Sequence, residues 1–366
     1  SQRGHVRDRT GRGEAAGVIV APVLWHHPHG ADDPAAEGAC MRAAYSEKNG
    51  TAREVLRVAE LETPEPGPGE VRVRLAASGV NPSDVKSRAG LTRKIAFPRV
   101  IPHSDGAGEI DRVGEGVSPS RVGERVWVWN GQWRRPFGTA GQSIVLPSEQ
   151  AVPLPANISM EAGACLGIPA YTAYQAVELA GCGDGSSVLV AGGAGAVGHY
   201  AIQLAKKRKA TVITTVSSPS KGEIARRAGA DHVIDYRRED VGERVMAITA
   251  KRGVNAVIEL DLGANAQLLP AVLASNGVVA IYGSGSPEVS IPFQFLLQNS
   301  IALKFFLVYL MPPQLRARAT ADITRMLERG ELIHNVAQTF GLGEIVAAHE
   351  AVESGKAMGN IVVSTA

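Results

Sequence analysis

Between residues 187 and 282, five short and nearly continuous apolar runs alternate with stretches whose apolar residues recur at helical spacing. A strand that is apolar on both faces must be covered on both faces, and helices between successive strands provide that cover. The pattern therefore predicts a parallel sheet with helices on both sides, the doubly wound α/β arrangement. The five runs are SVLVAGG, TVITTVS, HVIDY, AVIELD and VVAIYG.

A glycine-rich turn, AGGAGAVGHYAIQLAKK at residues 191–207, overlaps the end of the first run and leads into a predicted helix. Its G-x-G-x-x-G spacing permits a sharp turn, a close approach of backbone to a pyrophosphate, and tight packing of helix on strand. The helix N-terminus adds N–H groups that lack an intrahelical acceptor. We predict a dinucleotide phosphate site here, and a tight turn without a ligand is the alternative. The site residues are Gly193, Gly195, Ala196, Val197 and Gly198.

The end of the second strand distinguishes NADH from NADPH. NAD sites carry an acidic residue there, which accepts a hydrogen bond from the ribose 2′-hydroxyl. Here Ser217 and Ser218 stand at that place, Lys221 is close by, and Tyr236 ends the next strand. Because hydroxyl groups and a cation suit a 2′-phosphate, the pattern favours NADPH as the cofactor. The alternative for Lys221 is an exposed lysine at the start of a helix.

The first part of the chain has a different pattern. From Val71 the sequence VRVRL alternates apolar and charged residues, which predicts a half-buried strand with Arg72 and Arg74 facing water. Up to about residue 160, glycine and proline separate short apolar runs, as in an all-β domain. Residues 1–40 show no sustained periodicity. We expect them to form an N-terminal extension outside the core, with Met41 as the natural start.

Charge and cysteine content argue against several classes of partner. The chain has 38 Lys and Arg against 36 Asp and Glu, a balance that does not suit nucleic acid or an acidic membrane as partner. No apolar run reaches the roughly 18 residues that span a bilayer. Cys40, Cys165 and Cys182 are far apart, which is typical of a cytoplasmic protein. The stretch HHPHGADD at 26–33 predicts adventitious metal capture rather than a functional site.

Together with the glycine turn, four segments make the chain, from about Met41 to its end, resemble the medium-chain dehydrogenase/reductase superfamily, and in particular its zinc-free quinone oxidoreductase group. They are GVNPSDVKSRAG (79–90), PHSDGAGEIDRVGEGV (102–117), GIPAYTAYQAV (167–177) and SGKAMGNIVV (354–363). The resemblance implies a GroES-like β-barrel catalytic domain built from residues 41–163 and 307–366. It also implies an NADPH-binding Rossmann domain at 164–306 and a homodimer joined through the sheet edge at 301–309.

The same resemblance bears on zinc. Zinc alcohol dehydrogenases of the superfamily have Cys at the position of Asn81 and His at the position of Ser104, and both residues found here are poor zinc ligands. Where those enzymes have a cysteine-rich lobe, this chain has NGQWRRPFGTAGQ (130–142), without a cysteine. We therefore expect no metal site. Without a Lewis acid to ionise an alcohol, reduction of an electrophilic acceptor is favoured over alcohol oxidation.

By resemblance, Asn81, Asp84 and Lys86 are the candidate catalytic residues on the substrate side. Asn81 can donate a hydrogen bond to an acceptor oxygen as that oxygen gains negative charge. N-P-S-D is also a good turn in which Asp84 caps a short helix, so a purely structural role stays open for both residues. Lys86 either lies near the developing oxyanion or points to solvent. The residues implied to border the nicotinamide are Thr172, Tyr282, Gly283 and Ser284, and Phe305 and Phe306 are implied to form the apolar wall.

These features predict a cytoplasmic, zinc-independent, NADPH-dependent reductase of quinones or related enones. Two alternatives stay open. One is reduction of the double bond of 2-enals or enoyl thioesters, although the enoyl-thioester reductases that this chain resembles have a catalytic tyrosine at the position of Thr92. The other is a dinucleotide-binding sensor or structural protein without significant turnover.

Overall fold

In the computed structural model of the protein, the described residues are 40–365. The predicted extension, with its histidine-rich stretch, therefore lies outside the described residues except for Cys40. Among residues 40–365, no helix combines the length and the apolar character that crossing a membrane requires.

In residues 40–153 the regular secondary structure is mainly strand. The strands are β1 (Cys40–Tyr45), β2 (Arg57–Glu62), β3 (Glu70–Val80), β4 (Asp105–Val113), β5 (Arg125–Val128), β6 (Ser143–Pro147) and β7 (Ala151–Pro153). Two helices, α1 (Ala52–Val55) and α2 (Pro82–Ala89), and the 3₁₀ turns Pro119–Arg121 and Ser148–Gln150 connect them.

From residue 160 to residue 305, strands alternate with helices. The helices are α3 (Met160–Gly163), α4 (Tyr171–Ala180), α5 (Ala196–Lys207), α6 (Pro219–Arg227), α7 (Val241–Ile248), α8 (Leu262–Asn265), α9 (Leu269–Val272) and α10 (Phe293–Gln298). The strands are β8 (Ser187–Val190), β9 (Thr211–Val216), β10 (His232–Asp235), β11 (Val254–Glu259), β12 (Leu273–Ile281) and β13 (Ala302–Phe305). A π-helical turn, Leu166–Ala170, leads into α4, and the 3₁₀ turn Ala266–Leu268 precedes α9.

The last part of the chain returns to the first sheet. Its elements are α11 (Pro313–Glu328), β14 (Val336–Gly341), α12 (Ile345–Glu353) and β15 (Asn360–Ser364), with 3₁₀ turns at Val308–Leu310 and Leu342–Glu344.

Strands β8 to β13 form a parallel sheet in the order β10-β9-β8-β11-β12-β13. The apolar runs supply its interior, and Val188, Ile213 and Ile258 are fully buried. Because β9 lies on one side of β8 and β11 on the other, the strand order reverses at β8. In such sheets, ligands bind beyond the carboxyl ends of the strands at the reversal. The prediction of a doubly wound sheet is confirmed.

The sheet formed by the first part of the chain, which we call the first sheet, is mainly antiparallel and has the order β14-β15-β3-β4-β5-β7, with β6 also paired to β3. It therefore combines strands from both ends of the described chain. In β3, Val71 and Val73 are buried and Arg74 is exposed, as the alternation predicts. Arg72, expected to face water, keeps only 11% of its side chain exposed because it forms ion pairs with Glu65 and Asp111.

One apolar cluster connects the two sheets. It includes Trp127 of β5, Tyr171 of α4 and Ile258 of β11, all almost fully buried. The rings of Trp127 and Tyr171 meet edge to face, with their centroids 5.3 Å apart. The π-helical turn before α4 belongs to the same cluster through Leu166, so the segment that joins the two sheets is itself part of the core.

Close packing at the start of α5 gives a test of the fold. A Cβ atom at Gly198 would lie 2.4 Å from the carbonyl oxygen of Gly192, which is backbone and has to move as a whole. We expect Gly198→Ala to lower the free energy of unfolding by about 1–3 kcal/mol. The matched control is Gly183→Ala, whose Cβ meets no atom within 4 Å, and we expect it to leave stability nearly unchanged. Urea unfolding of both variants measures this, and equal losses would contradict the packing argument.

Candidate active site

The glycine turn lies where the strand order reverses. β8 ends at Val190, Gly195 precedes α5, and Ala196, Val197 and Gly198 are the first residues of that helix. Gly195 has no side chain with which to cap the helix, so the first N–H groups of α5 stay available to an anion. A Cβ at Gly193 would lie 2.2 Å from Oγ1 of Thr214, so this position of the turn excludes any side chain.

A cavity of about 450 Å³ opens beside this turn. Its walls come from the turn, from the ends of β9 and β10, and from the end of β11, which is the shape that a dinucleotide needs at the reversal of a doubly wound sheet. Of the predicted cofactor residues, it is lined by Gly195, Ser217, Lys221 and Tyr236. The residues present therefore fit a dinucleotide.

The far end of the cavity carries the groups predicted to meet a 2′-phosphate. Ser217 follows β9 directly, Lys221 lies in the first turn of α6, and Tyr236 is half exposed. Ser218 caps α6, because its hydroxyl accepts a hydrogen bond from the N–H of Lys221 at 3.3 Å. Ser218 therefore caps the helix, a role that the sequence did not predict. Ser217 precedes the cap, so its hydroxyl is not used in capping.

Sequence reasoning missed two acidic residues that line this cavity, Glu259 and Asp261. Glu259, the last residue of β11, is buried, and burial raises the pKa of its carboxyl group. Its Oε1 accepts hydrogen bonds from the N–H of Asp261 at 2.6 Å and from Nδ2 of Asn265 at 2.9 Å. The run AVIELD contained the signal, since polar residues at the end of a parallel strand lie at the ligand edge of the sheet.

The residues expected at the nicotinamide and its apolar wall lie at three places: the start of α4, the loop after β12 and the end of β13. Thr172 is buried at the start of α4, and Tyr282, Gly283 and Ser284 follow β12. A Cβ at Gly283 would lie 2.2 Å from the carbonyl oxygen of Leu260, so the loops after β11 and β12 are in close contact.

The two phenylalanines are placed differently from each other. Phe306 packs against the ring of Tyr282, with the centroids 6.2 Å apart. Phe305 ends the edge strand β13 and is 67% exposed, so it faces the outside of the protein rather than an apolar wall.

Asn81 belongs to a buried polar cluster. Its Nδ2 donates a hydrogen bond to Oδ2 of Asp105 at 2.8 Å, and its backbone N–H donates to Oδ2 of Asp84, also at 2.8 Å. All three residues are at most 5% exposed. The turn interpretation of N-P-S-D is therefore correct for Asp84, and the amide of Asn81 is held in position with a second N–H still available to a ligand.

Burial dominates the electrostatics of this cluster. Burial raises the pKa of Asp84 to about 7, although the hydrogen bond from the backbone N–H of Asn81 lowers it. It raises the pKa of Asp105 well above its usual range, and the neighbouring Asp84 acts in the same direction. Burial therefore favours the neutral form of both carboxyl groups.

Lys86 connects the two sheets. Its Nζ donates a hydrogen bond to the carbonyl oxygen of Ser284 at 3.0 Å, which brings α2 against the loop after β12. The lysine thus lies beside the residues expected at the nicotinamide rather than pointing to solvent. The candidate catalytic residues and Ser284 meet in one place although about 200 residues separate them in the sequence.

Tyr309 is a further residue that sequence reasoning missed. It is 7% exposed, its hydroxyl is 3.0 Å from Oγ of Ser83, and its ring stacks on Trp133 at a centroid distance of 4.5 Å. Burial raises the pKa of the phenol, so it stays protonated and can donate a hydrogen bond. No motif marks Tyr309, because it reaches Ser83 only through the return of the chain to the first sheet.

Neither of the two positions discussed for zinc carries a thiolate or an imidazole: they hold Asn81 and Ser104, both buried. Between residues 40 and 365, no group of three or more His, Cys, Asp and Glu side chains is arranged to hold a metal ion. His103, next to Ser104, instead forms a buried contact between its Nε2 and Nε2 of His349 at 2.9 Å.

Two domain families match the chain. Residues 67–156 match the alcohol dehydrogenase GroES-like domain, and residues 196–325 match the zinc-binding dehydrogenase family. A quinone oxidoreductase of Pseudomonas aeruginosa is 32% identical over 324 residues, covering 85% of this chain and 95% of the relative. A 2-haloacrylate reductase of a Burkholderia species is 30% identical over 318 residues, covering 83% and 93%.

Solved structures give the same fold. A structure described as an NAD-dependent alcohol dehydrogenase superposes with a TM-score of 0.82 at 29% identity, covering 89% of this chain and all of the other. A mycobacterial protein complexed with NADPH superposes with a TM-score of 0.78 at 27% identity, covering 88% of this chain and 99% of the other. The predicted combination of a GroES-like domain and a Rossmann domain is thereby confirmed.

The raised pKa of Asp84 predicts a pH dependence of stability. In the unfolded chain the pKa of this carboxyl group is about 4, whereas in the folded protein it is about 7. The unfolded state therefore loses its proton first, and this group's contribution to the free energy of unfolding falls as pH rises from about 4 to about 7. The drop is at most about 4 kcal/mol. Asp84→Asn keeps the capping oxygen and lacks the titration, so its stability should fall less over that range.

Urea unfolding of the wild type and of Asp84→Asn, at pH values from about 4 to about 8, measures the difference between them. The subtraction cancels the titration of groups that both proteins share. Parallel stability curves would show that Asp84 titrates normally.

Proposed function

Because the chain belongs to the quinone oxidoreductase group of the medium-chain dehydrogenase/reductase superfamily, we propose that it is a zinc-independent, NADPH-dependent reductase of quinones or related enones. The observation that carries the proposal is the meeting of two sites. The cavity fit for a dinucleotide is lined by Leu260 and Asp261, and both of these residues contact the loop after β12. Lys86 joins that same loop to α2, the helix that Asn81 caps.

The choice of NADPH rests on the cavity end formed by Ser217, Lys221 and Tyr236. No acidic residue follows β9 at the place where NAD sites accept the 2′-hydroxyl. A lysine and two hydroxyl groups complement a 2′-phosphate, which is doubly charged near neutral pH. The similarity to a protein complexed with NADPH supports this choice, and the similarity to one described as NAD-dependent makes it worth testing directly.

When bound, the cofactor supplies a hydride from its nicotinamide ring. The protein has to orient the acceptor and to stabilise the oxygen that becomes negative. The side-chain amide of Asn81 is suited to this, because Asp105 fixes it with one N–H and leaves the other available. Burial raises the pKa of Asp105 well above its usual range, which disfavours a negative charge on this carboxyl group close to the developing charge.

Reduction without zinc follows from the donor set. Asn81 and Ser104 provide a neutral amide and a hydroxyl, where a catalytic zinc needs thiolate, imidazole or carboxylate. Stabilisation by a hydrogen-bond donor of this kind is worth about 3–4 kcal/mol in other enzymes. That is sufficient for a quinone, whose reduction needs no prior ionisation.

The relative named 2-haloacrylate reductase favours a second candidate activity, the reduction of a carbon–carbon double bond conjugated to a carbonyl group. The same amide donor would act on the carbonyl oxygen in both reactions. The two candidates differ in their products, a hydroquinone in one case and a saturated carbonyl compound in the other.

We also propose a homodimer formed through the edge strand β13. This edge carries large exposed apolar side chains, namely Phe293, Leu297, Phe305, Leu307 and Leu310. An unpaired strand edge next to an apolar surface is suited to pairing with a second copy. Sedimentation velocity tests this proposal, and a monomer at micromolar concentration would contradict it.

The division of the chain and its location are proposed on similar grounds. Strands of the mainly antiparallel sheet lie within residues 41–163 and 307–366, and all strands of the parallel sheet lie within 164–306, which supports these as the two domains. The buried thiols of Cys165 and Cys182 suit the cytoplasm, where they stay reduced. Fractionation of cells that produce the protein tests the location.

The activity is tested by NADPH oxidation with a panel of ortho- and para-quinones and 2-enals, with product identification. We expect turnover with quinones, and we expect it to survive dialysis against a strong chelator because the donor set does not suit zinc. Activity that disappears on chelation and returns with Zn²⁺ would overturn zinc independence. Tight NADPH binding without turnover on any acceptor would point to a sensor or structural protein instead.

Lys221 should set the preference for NADPH. A charge-assisted hydrogen bond is worth about 1.5–3 kcal/mol, so Lys221→Ala should raise the KM for NADPH about tenfold to a hundredfold. The KM for NADH should change little, since NADH lacks the phosphate. The contact is remote from the nicotinamide and equal in ground and transition states, so kcat should be retained.

The matched control is Lys209→Ala, which removes an exposed lysine at the end of α5, outside the cavity. Steady-state kinetics with both cofactors at saturating quinone measure the effect. If Lys221→Ala leaves the ratio of kcat/KM for NADPH and NADH unchanged, Lys221 does not meet the phosphate.

A further inference from the structure

A second cavity, of about 310 Å³, lies on the first-sheet side of the candidate active site. We call it the basic cavity, and define it by Asp84, Arg88, Arg93, Lys94, Gln132 and Arg134, which contribute to its lining. It borders the candidate catalytic residues, because Asp84, which accepts a hydrogen bond from the backbone N–H of Asn81, forms part of its wall. Its volume suits a small organic molecule.

The lining of the basic cavity is strongly positive. Four cationic side chains and one carboxyl group, that of Asp84, contribute to it, and one of the cations, Arg88, is also ion-paired with Glu353. Burial raises the pKa of Asp84 to about 7, which disfavours the negative charge of this carboxyl group. The other three cations, Arg93 and the exposed Lys94 and Arg134, repel one another across the cavity, so the lining is complementary to a negatively charged group.

Arg93 is held rigidly by uncharged partners, and the charge of its guanidinium acts on Asp84 without a direct ion pair. Its Nε donates to Oγ of Ser87 at 2.7 Å, its Nη2 donates to Oε1 of Gln132 at 2.5 Å, and its guanidinium lies 5.2 Å from the ring centre of Trp133. All three partners are uncharged. In the described part of the chain, no carboxylate forms an ion pair with Arg93.

Arg88 adds a donor that lacks an acceptor. Its Nη1 donates to the carbonyl oxygen of Gly50 at 2.6 Å and its Nη2 to Glu353, while its buried Nε has no hydrogen-bond partner among residues 40–365. Only 2% of this side chain is exposed. A buried donor without an acceptor is costly, and a bound anion would remove that cost.

The cavity also has an apolar wall, formed by Ile95, Phe97 and Val100. An inorganic anion makes no use of such a wall, whereas an organic acid buries its hydrocarbon part there. We propose that the basic cavity binds the carboxylate of an acidic electron acceptor, so that the enzyme prefers quinones or enones that carry a carboxylate over neutral ones. This inference rests on the proposed reductase function, since it assigns the substrate class of the same site.

The test compares two acceptors that differ only in charge, 3-(1,4-naphthoquinon-2-yl)propanoate and the corresponding propanamide. We expect the wild type to have a kcat/KM about tenfold or more higher for the carboxylate, and we expect this ratio to fall at high ionic strength. Arg93→Gln should reduce the ratio about tenfold, and Arg93→Lys should retain part of it because it keeps the charge.

Arg134→Gln and Lys94→Gln remove exposed cations of the same cavity and should reduce the ratio even if Arg93→Gln fails to fold. The matched control is Arg74→Gln, on the exposed face of β3, which should leave the ratio at the wild-type value.

Each outcome has one meaning. Reduction of both acceptors at equal kcat/KM, or an equal effect of Arg74→Gln and the cavity variants, would overturn the carboxylate site and leave the reductase function intact. Failure to reduce either quinone would overturn the reductase function itself. Inhibition by inorganic phosphate that disappears in Arg93→Gln, without any preference for the carboxylate acceptor, would overturn the organic-acid assignment in favour of a phosphate site.

Discussion

The close approach of helix α5 to strand β8 is the constraint on which the rest of the cofactor side depends. Neither Gly193 nor Gly198 has room for a Cβ, because Thr214 and the carbonyl oxygen of Gly192 occupy that space. The helix therefore starts directly beyond the strand, and its N–H groups face the carboxyl edge of the sheet. The positions of Ser217 and Lys221 follow, since β9 is the neighbour of β8 and ends at the same edge.

How much of this could be predicted depends on how far apart the interacting residues are. The parallel sheet and its glycine turn were predictable, because apolar runs and glycine spacing are local properties of the sequence. The exposure of Phe305 was not, since it depends on β13 being the last strand of the sheet. The partial burial of Arg72 was not predictable either. The alternation of residues shows only which face of β3 Arg72 lies on, whereas its ion-pair partner Asp111 comes from the neighbouring strand β4.

In the candidate active site, too, contacts between residues close in the sequence were predictable and contacts between distant residues were not. The segment N-P-S-D indicated a capped turn, and the capping contact between Asn81 and Asp84 is present. What it could not indicate is the partner of the Asn81 amide, Asp105, which is 24 positions away. The basic cavity is still harder to predict, because Arg88, Arg93 and Arg134 look like ordinary surface residues until the loops around α2 bring them together.

A chain of neutral hydrogen bonds stabilises the position of Asp105. Its carbonyl oxygen accepts from Oγ1 of Thr139 at 2.5 Å, Thr139 contacts Ser78 at 2.8 Å, and Ser78 contacts Nδ1 of His103 at 2.9 Å. Burial lowers the pKa of His103 well below its usual range, so the chain carries no charge in the neutral pH range. A neutral, buried network fixes the amide of Asn81 without adding a field of its own. The charge that acts on an acceptor therefore comes from outside this network, from Lys86 and the basic cavity, and these groups rather than the amide are the ones able to discriminate between acceptors.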